Sequence, residues 1–446
     1  MSVSTARTRT AELAAYVAGA SFDALPATAV ERAEQLILDT LGAMISGVHL
    51  PPAQGFRPFA AAHAGAGACT VFGSEVRADP VSAAFANAVA AHADETDDSH
   101  LASLTHPAAA TVPAALALGE HRGADGATAI AAVVAGYDVQ CRVSLALDPR
   151  DIMDRGFMPL AICAGFGAAA SAAVMLGLDE DQTAAALGLA GLQAGGLWAC
   201  AEDSTHLAKA LMAGAPVRNG VTAALLAAQG CQGPPDIFEG RDGVLAAFSS
   251  RPSPGELTAE LGERFEILRT SIKKHACGGP IRGAVDGVLE ILATEGLVAA
   301  DIDGVRVRIA PSACAIVDGR DDLAINLQHV VAVAAIDGVV GVVQTHSPAR
   351  TRAADVQALR RRVALEPEPA FEPLWPAQRP TLIELRTTAG ARHERRVEHP
   401  RGTPENPLTW DEVRAKFAAL GGSAAIAERV RRLAELHDVR TLLADV

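Results

Sequence analysis

Aromatic side chains are scarce in this chain, which has 3 Trp, 2 Tyr and 12 Phe among 446 residues. Its core must be built mainly from Ala, Val, Leu and Gly, and small side chains packed to native density favour helix against helix. The same scarcity argues against a magnesium-dependent terpenoid-type enzyme, whose pocket needs aromatic faces around a greasy cation. Basic residues are outnumbered: 38 Lys and Arg against 52 Asp and Glu leave a formal net charge of −14. That balance speaks against nucleic acid or an anionic membrane as partner, because both attract a basic surface. An anionic substrate would have to be met by a local cluster of Lys, Arg or His. Paired cysteine motifs are absent too. The 7 cysteines stand singly, at 69, 141, 163, 200, 231, 277 and 314, with no CxxC. Neither a disulfide framework nor a zinc or iron–sulfur ligand set is expected, and a reducing cytoplasm suits such thiols.

A strongly hydrophobic run is also missing. Residues 158–178 (MPLAICAGFGAAASAAVMLGL) carry no charge and are long enough to span a bilayer. They consist mostly of Ala, Gly and Ser, however, and read as a buried helix rather than a membrane span. The opening MSVSTARTRTAEL leads into polar, helix-like sequence and does not resemble a secretory signal.

What is present is mostly helix. The length suggests roughly two or three domains, and half of the residues are hydrophobic, enough for a sizeable core. In 26–47, Val30, Ala33, Ile37, Leu41 and Met44 recur at helical spacing between Pro26 and Gly47. Ala-rich runs at 81–93, 108–119, 127–136, 161–175, 183–195 and 220–229 repeat the theme, and Asp179 with Gln182 has capping-box spacing. Composition changes near 265. Residues 303–310 and 381–388 alternate as strands do, 359–366 suggests a third strand, and 326–341 reads as a helix between them. The stretch 367–380 has five prolines and reads as an exposed connection. Beyond 400 the pattern is helical again, with Thr409 and Glu412 as a capping box. The expected class is mainly α: a large all-helical domain (1–267), a smaller α/β domain (268–399), and a C-terminal return to the helices (400–446).

Three segments could carry chemistry. The first is His92-Ala-Asp-Glu-Thr-Asp-Asp-Ser-His100, followed by His106-Pro107. It can be a solvated acidic loop, an acid–base site in which carboxylates tune an imidazole, or a magnesium site. The second runs from Ser204 through His206 to Lys209, where an ammonium stands among Ala, Leu and Met. The third is Ser271-Ile-Lys273-Lys-His-Ala-Cys-Gly-Gly279, with Arg282 and Asp286 beyond it. These cations form a candidate local anion site.

Taken in order, these segments resemble the MmgE/PrpD family, which includes 2-methylcitrate dehydratase, cis-aconitate decarboxylase and iminodisuccinate epimerase. His92–His100 is similar to the family's H-A-L-D-F-D-D-T-H, and His106-Pro107 to the His-Pro that follows it. LILDTLGAMISG, AGYDVQCR at 135–142, K-x-L-x-A-G from Lys209, H-A-C-G at 275–278 and PRGTPENPLT at 400–409 also match. The resemblance runs from about residue 10 to 430. It implies a helical domain with an inserted α/β lid, a site in the cleft between them, a homodimer, and no metal or other cofactor. It implies His106 as the general acid–base group, supported by Glu95 and Ser99 where the family usually has Asp and Thr. Lys209 and Lys273 are the implied substrate-binding or proton-transferring lysines. Lys274 is a one-residue alternative to Lys273, and His100 and His275 are further substrate contacts.

Met158 and Arg282 stand where the family usually has histidines. The expected function is a metal-independent lyase acting on a small di- or tricarboxylate. Dehydration of the 2-methylcitrate type is placed ahead of epimerisation or decarboxylation, and a non-catalytic scaffold is the alternative from another class. Lys209, Lys273 and Arg282 would hold carboxylates. A lysine pair that depresses its own pKa values could provide a base.

Overall fold

A computed structural model of the chain describes residues 7–201 and 207–444. Among the described residues twelve helices of ten residues or more dominate it, and the Ala-rich runs lie within or overlap them. Helices span Ala27–Gly47, Pro80–Ala91, Ala108–Arg122, Gly126–Leu147, Pro159–Leu176, Glu180–Gly191 and Leu211–Ala228. The expected capping box at Asp179 forms, its side chain accepting from the Gln182 amide at 2.8 Å. The Thr409–Glu412 box starts the helix Trp410–Ala419 in the same way.

Two helices, Gly126–Leu147 and Pro159–Leu176, are long and apolar enough to cross a membrane, and nearly all their residues are buried inside the protein. Pro159–Leu176 is the centre of the bundle, packed by Ala108–Arg122, Gly126–Leu147, Glu180–Gly191 and Leu211–Ala228. The packing is closer than alanine allows in places. A Cβ at Gly220 would lie 2.3 Å from the Gly165 carbonyl oxygen, and one at Gly136 would lie 2.1 Å from Ser171 Oγ. Gly220→Ala is therefore expected to cost about 1–3 kcal/mol through overpacking and to lower Tm. Gly55→Ala is the control: nothing lies within 4 Å of a Cβ there, so a helix-interior glycine replaced by alanine should be neutral or stabilising. Equal Tm values for the two variants would show that the bundle has slack.

The hydrophobic interior falls into two clusters. The first runs from Leu13 to Ile272 and resumes at Leu408 through Leu443. The second is built entirely from residues between Cys277 and Val397. Apart from a short hairpin of β1 (Cys69–Thr70) and β2 (Arg77–Ala78), the strands belong to this second part. They are β3 (Ile302–Ile309), β4 (Val363–Pro367), β5 (Thr381–Thr387) and β6 (Arg392–Val397), in the order β4-β3-β5-β6. β3 pairs parallel with β4 and antiparallel with β5, and β5 pairs antiparallel with β6. Val305, Val307 and Ile309 alternate inward on β3, as do Ile383 and Leu385 on β5, beneath helices Arg282–Glu295 and Leu327–Asp337.

Two local expectations change. The strand expected over 359–366 divides into the end of a helix, Ala354–Arg360, and β4. The proline-rich 367–380 is not a fully exposed connection: Phe371 and Trp375 are buried in the second core, because aromatic rings in so aromatic-poor a chain have an apolar surface to join.

Candidate active site

The helix Pro80–Ala91 stops at His92, and the next begins at Ala108 behind Pro107. The loop between them is acidic but not solvated: Asp94, Glu95, Thr96, Asp97, Asp98, Ser99 and His100 are all buried. Buried carboxylates need partners, and each has its own. Asp94 accepts from the Glu95 amide at 2.7 Å and faces His346 Nε2 at 2.9 Å. Asp98 accepts from the Tyr137 hydroxyl at 2.8 Å and the Ala108 amide at 3.2 Å. Asp94 and Asp98 thus point to separate partners, unlike the magnesium reading, in which the clustered carboxylates share one metal ion.

Asp97 is the hub. Its carboxylate lies 2.6 Å from His92 Nδ1, 3.3 Å from His106 Nδ1 and 3.2 Å from Lys273 Nζ. Burial pushes this carboxyl up, but the two imidazoles and the ammonium outweigh burial and hold it well below the usual range. Glu95 takes the two lysines. It pairs with Lys209 and accepts from Lys273 Nζ at 3.1 Å, and both ammoniums keep it ionised against burial. Lys273 reaches both carboxylates because the backbones at Ser99 and Ser271 form an antiparallel bridge, with amide–carbonyl distances of 2.9 and 2.8 Å.

His106 is oriented by the same loop. Its Nδ1 lies 2.5 Å from the Asp98 carbonyl oxygen; a carbonyl only accepts, so Nδ1 carries the hydrogen. That leaves Nε2 with a lone pair, the arrangement of a general base. Burial, reinforced by the neighbouring cations and opposed by Asp97, lowers His106 to about 3, so the ring is neutral at neutral pH. The ligand atoms of His92, Asp97 and His106 lie within 4.8 Å of one another, a spacing a metal could bridge. The Lys273 ammonium on Asp97 opposes a further cation there.

Between the two cores lies a cavity of about 1030 Å³, at the upper end of ligand sites. Of the residues singled out from sequence, Glu95, Ser99, His100, His106, Met158 and Lys209 line it. Lys273 stands directly behind Glu95. His100 borders the cavity, but its ring nitrogens are engaged by Ser103 at 2.8 Å and Glu266 at 3.1 Å. Ser204, Thr205 and His206 lie outside the described residues.

The remaining expectations are corrected. Lys274 is exposed, whereas Ser271, Ile272 and Lys273 before it are buried. The lysine-pair base fails with it: burial would lower Lys273, but Glu95 and Asp97 raise it and keep it charged. His275 binds Asp286 at 3.0 Å, and Arg282 is buried and donates to the Arg401 carbonyl at 3.0 Å. Neither lines the cavity. Glu95 pairs with the two lysines, and Asp97 is the carboxylate that lies beside His106. The sequence reading missed Asp97 and His92 as a unit, along with Arg379 and Trp375, which reach the cavity from the second core. For Asp97 the only signal was its membership of the acidic cluster.

The model of the MmgE/PrpD N-terminal domain matches residues 11–257 and that of the MmgE/PrpD C-terminal domain matches 275–441. A cis-aconitate decarboxylase-like protein of Aspergillus oryzae is 31% identical over 63% of this chain and 60% of its own length. The cis-aconitate decarboxylase of Aspergillus terreus is 25% identical over 96% of this chain and 92% of its own. The Mus musculus cis-aconitate decarboxylase is 28% identical over 95% of this chain and 89% of its own. With both family domains covering nearly the whole chain, and the His106 loop meeting Lys209 and Lys273 around one cavity, the chain belongs to the MmgE/PrpD family.

Proposed function

We propose that the protein is a lyase that moves a proton at a carbon next to a carboxylate of a small polycarboxylate. The observation that carries this reading is the neutral imidazole of His106, fixed through Nδ1 with Nε2 free, beside charges supplied by Lys209, Glu95, Asp97 and Lys273. Fixed charges in a cleft stabilise a developing enolate-like anion without reorganising at the moment of reaction. The relatives are cis-aconitate decarboxylases or resemble them, which puts loss of carbon dioxide first. In that case an anionic substrate raises the pKa of His106, which takes a proton from solvent and delivers it to an alkene carbon. The electron pair of the breaking carbon–carboxylate bond then forms the new double bond.

Dehydration is the second reading, favoured by the neutral resting state of His106. The base removes a proton, and hydroxide leaves with a proton from an ammonium. In this picture residues 277–397 act as a lid over the cavity, supported by the Arg150–Glu372 contact at 3.4 Å across the cleft. A homodimer in a reducing cytoplasm completes the reading; exposed Leu192 and Leu197 offer apolar surface to a partner, and the seven cysteines are free thiols.

The test is incubation in deuterated water with cis-aconitate, citrate, 2-methylcitrate, malate and iminodisuccinate, followed by NMR. Carbon dioxide with a deuterated alkene product is the expected result. An alkene formed without carbon dioxide would indicate dehydration, and deuterium exchange without net change would indicate epimerisation. No exchange and no product with any of them would end the proton-transfer reading.

A further inference from the structure

Most cations that border the cavity already have a carboxylate. Lys209 has Glu95, Arg150 has Glu372, and Arg251 has Asp148 and Asp151. Arg379 differs. Among the described residues no carboxylate lies within ion-pair distance of it, and its buried Nε has no hydrogen-bond partner. The charged group that acts on it is another cation, Arg282. Its guanidinium lies over the Trp375 ring, 4.7 Å from the centroid, which holds the fork in one plane. Gly279, also on the cavity wall, leaves room for it: a Cβ there would lie 2.1 Å from Arg379 Nη1. A half-buried guanidinium whose buried Nε has no partner, beside a second cation and facing a cavity, is incomplete without an anion.

We propose that Arg379 is a specificity-determining residue that receives one carboxylate of the substrate on the side of the cavity formed by the second core. The site then selects three-carboxylate ligands over two-carboxylate ligands of similar length. This rests on the polycarboxylate reading above. The pairing is planar and bidentate, with Trp375 behind the fork and the Gly278–Gly279 backbone beside it.

Calorimetric titration of the full chain with tricarballylate (propane-1,2,3-tricarboxylate) and with glutarate separates the two ideas. The wild type should bind tricarballylate about 10- to 100-fold more tightly, the range set by one charge-assisted pair. In Arg379→Gln that ratio should collapse to about one, with Tm followed to verify folding. Gly279→Ala, which crowds the guanidinium and leaves Arg379 in the sequence, should reduce the ratio several-fold and serves if Arg379→Gln does not fold. A wild-type ratio preserved in either folded variant would overturn the role of Arg379 alone. Failure of both ligands to bind the wild type would overturn the polycarboxylate reading, and this assignment with it.

Discussion

Replacing His106 with Asn should lower kcat by about 10²–10⁴, the usual contribution of a positioned general acid–base group. Asn retains an amide that can donate to the Asp98 carbonyl, so the loop keeps one of its hydrogen bonds. What disappears is the titratable Nε2. The measurement is steady-state turnover of the substrate found in deuterated water, with circular dichroism to show an unchanged helical content. Near-normal kcat in the folded variant would move the proton transfer to another group. A second readout comes from stability. His106 is lowered to about 3 in the folded protein, whereas an unfolded histidine titrates near 6.5. Below about pH 6.5 the unfolded chain binds a proton that the folded chain refuses, so stability falls as pH falls. The wild type should therefore lose more stability than His106→Asn as the pH is lowered from 6.5 towards 4.

Lys273→Met should be the most damaging change to stability. Lys273 is fully buried between Glu95 and Asp97, and removing one partner of a buried charge network costs about 3–5 kcal/mol because the other charge is left uncompensated. Tm should drop sharply at pH 7, and kcat should fall because Asp97 no longer holds its charge beside His106. The sign of the pH dependence follows from the carboxylates. Glu95 and Asp97 are held below their ordinary values in the wild type, which stabilises it above about pH 4 and is lost as pH falls further. The gap in Tm between wild type and variant should be widest near neutrality and narrow in acid. A gap that stays constant from pH 7 to pH 4 would show that Lys273 acts through packing alone.

Much of the helical part could be read from sequence because its signals are local. The capping boxes at Asp179 and Thr409 appear as spaced, and the uncharged 158–178 run is indeed a buried helix. β6 was not anticipated, because RHERRV is polar on both faces and mostly exposed at the edge of its sheet, so no alternation marks it. The site was legible only in part for a related reason. Glu95, His106, Lys209 and Lys273 do meet, but proximity in sequence misled at Lys274, which is exposed, and at His275 and Arg282, which have local partners. Arg379 lay beyond reach altogether. It stands in a stretch of five prolines whose composition suggests solvent, and only the tertiary burial of Phe371 and Trp375 carries it to the cavity.

The resumption of the first core at Leu408 has a consequence for how the protein is made. Asp39 is almost fully buried in the helix Ala27–Gly47, and its countercharge is Lys416, 2.6 Å away; Lys416 also donates to the Thr96 carbonyl, in the loop between His92 and His106, at 2.7 Å. On a ribosome that adds residues one at a time, Asp39 emerges long before Lys416 exists. Until then the bundle lacks both the cation that neutralises its interior and the clasp on the loop between His92 and His106. The helices translated first must wait, loosely gathered, while the second core is synthesised and can collapse on its own shorter-range contacts. Order of synthesis and order of completion are thus reversed: the part made first is finished last, and the loop between His92 and His106 gains its clasp only as the chain closes on itself.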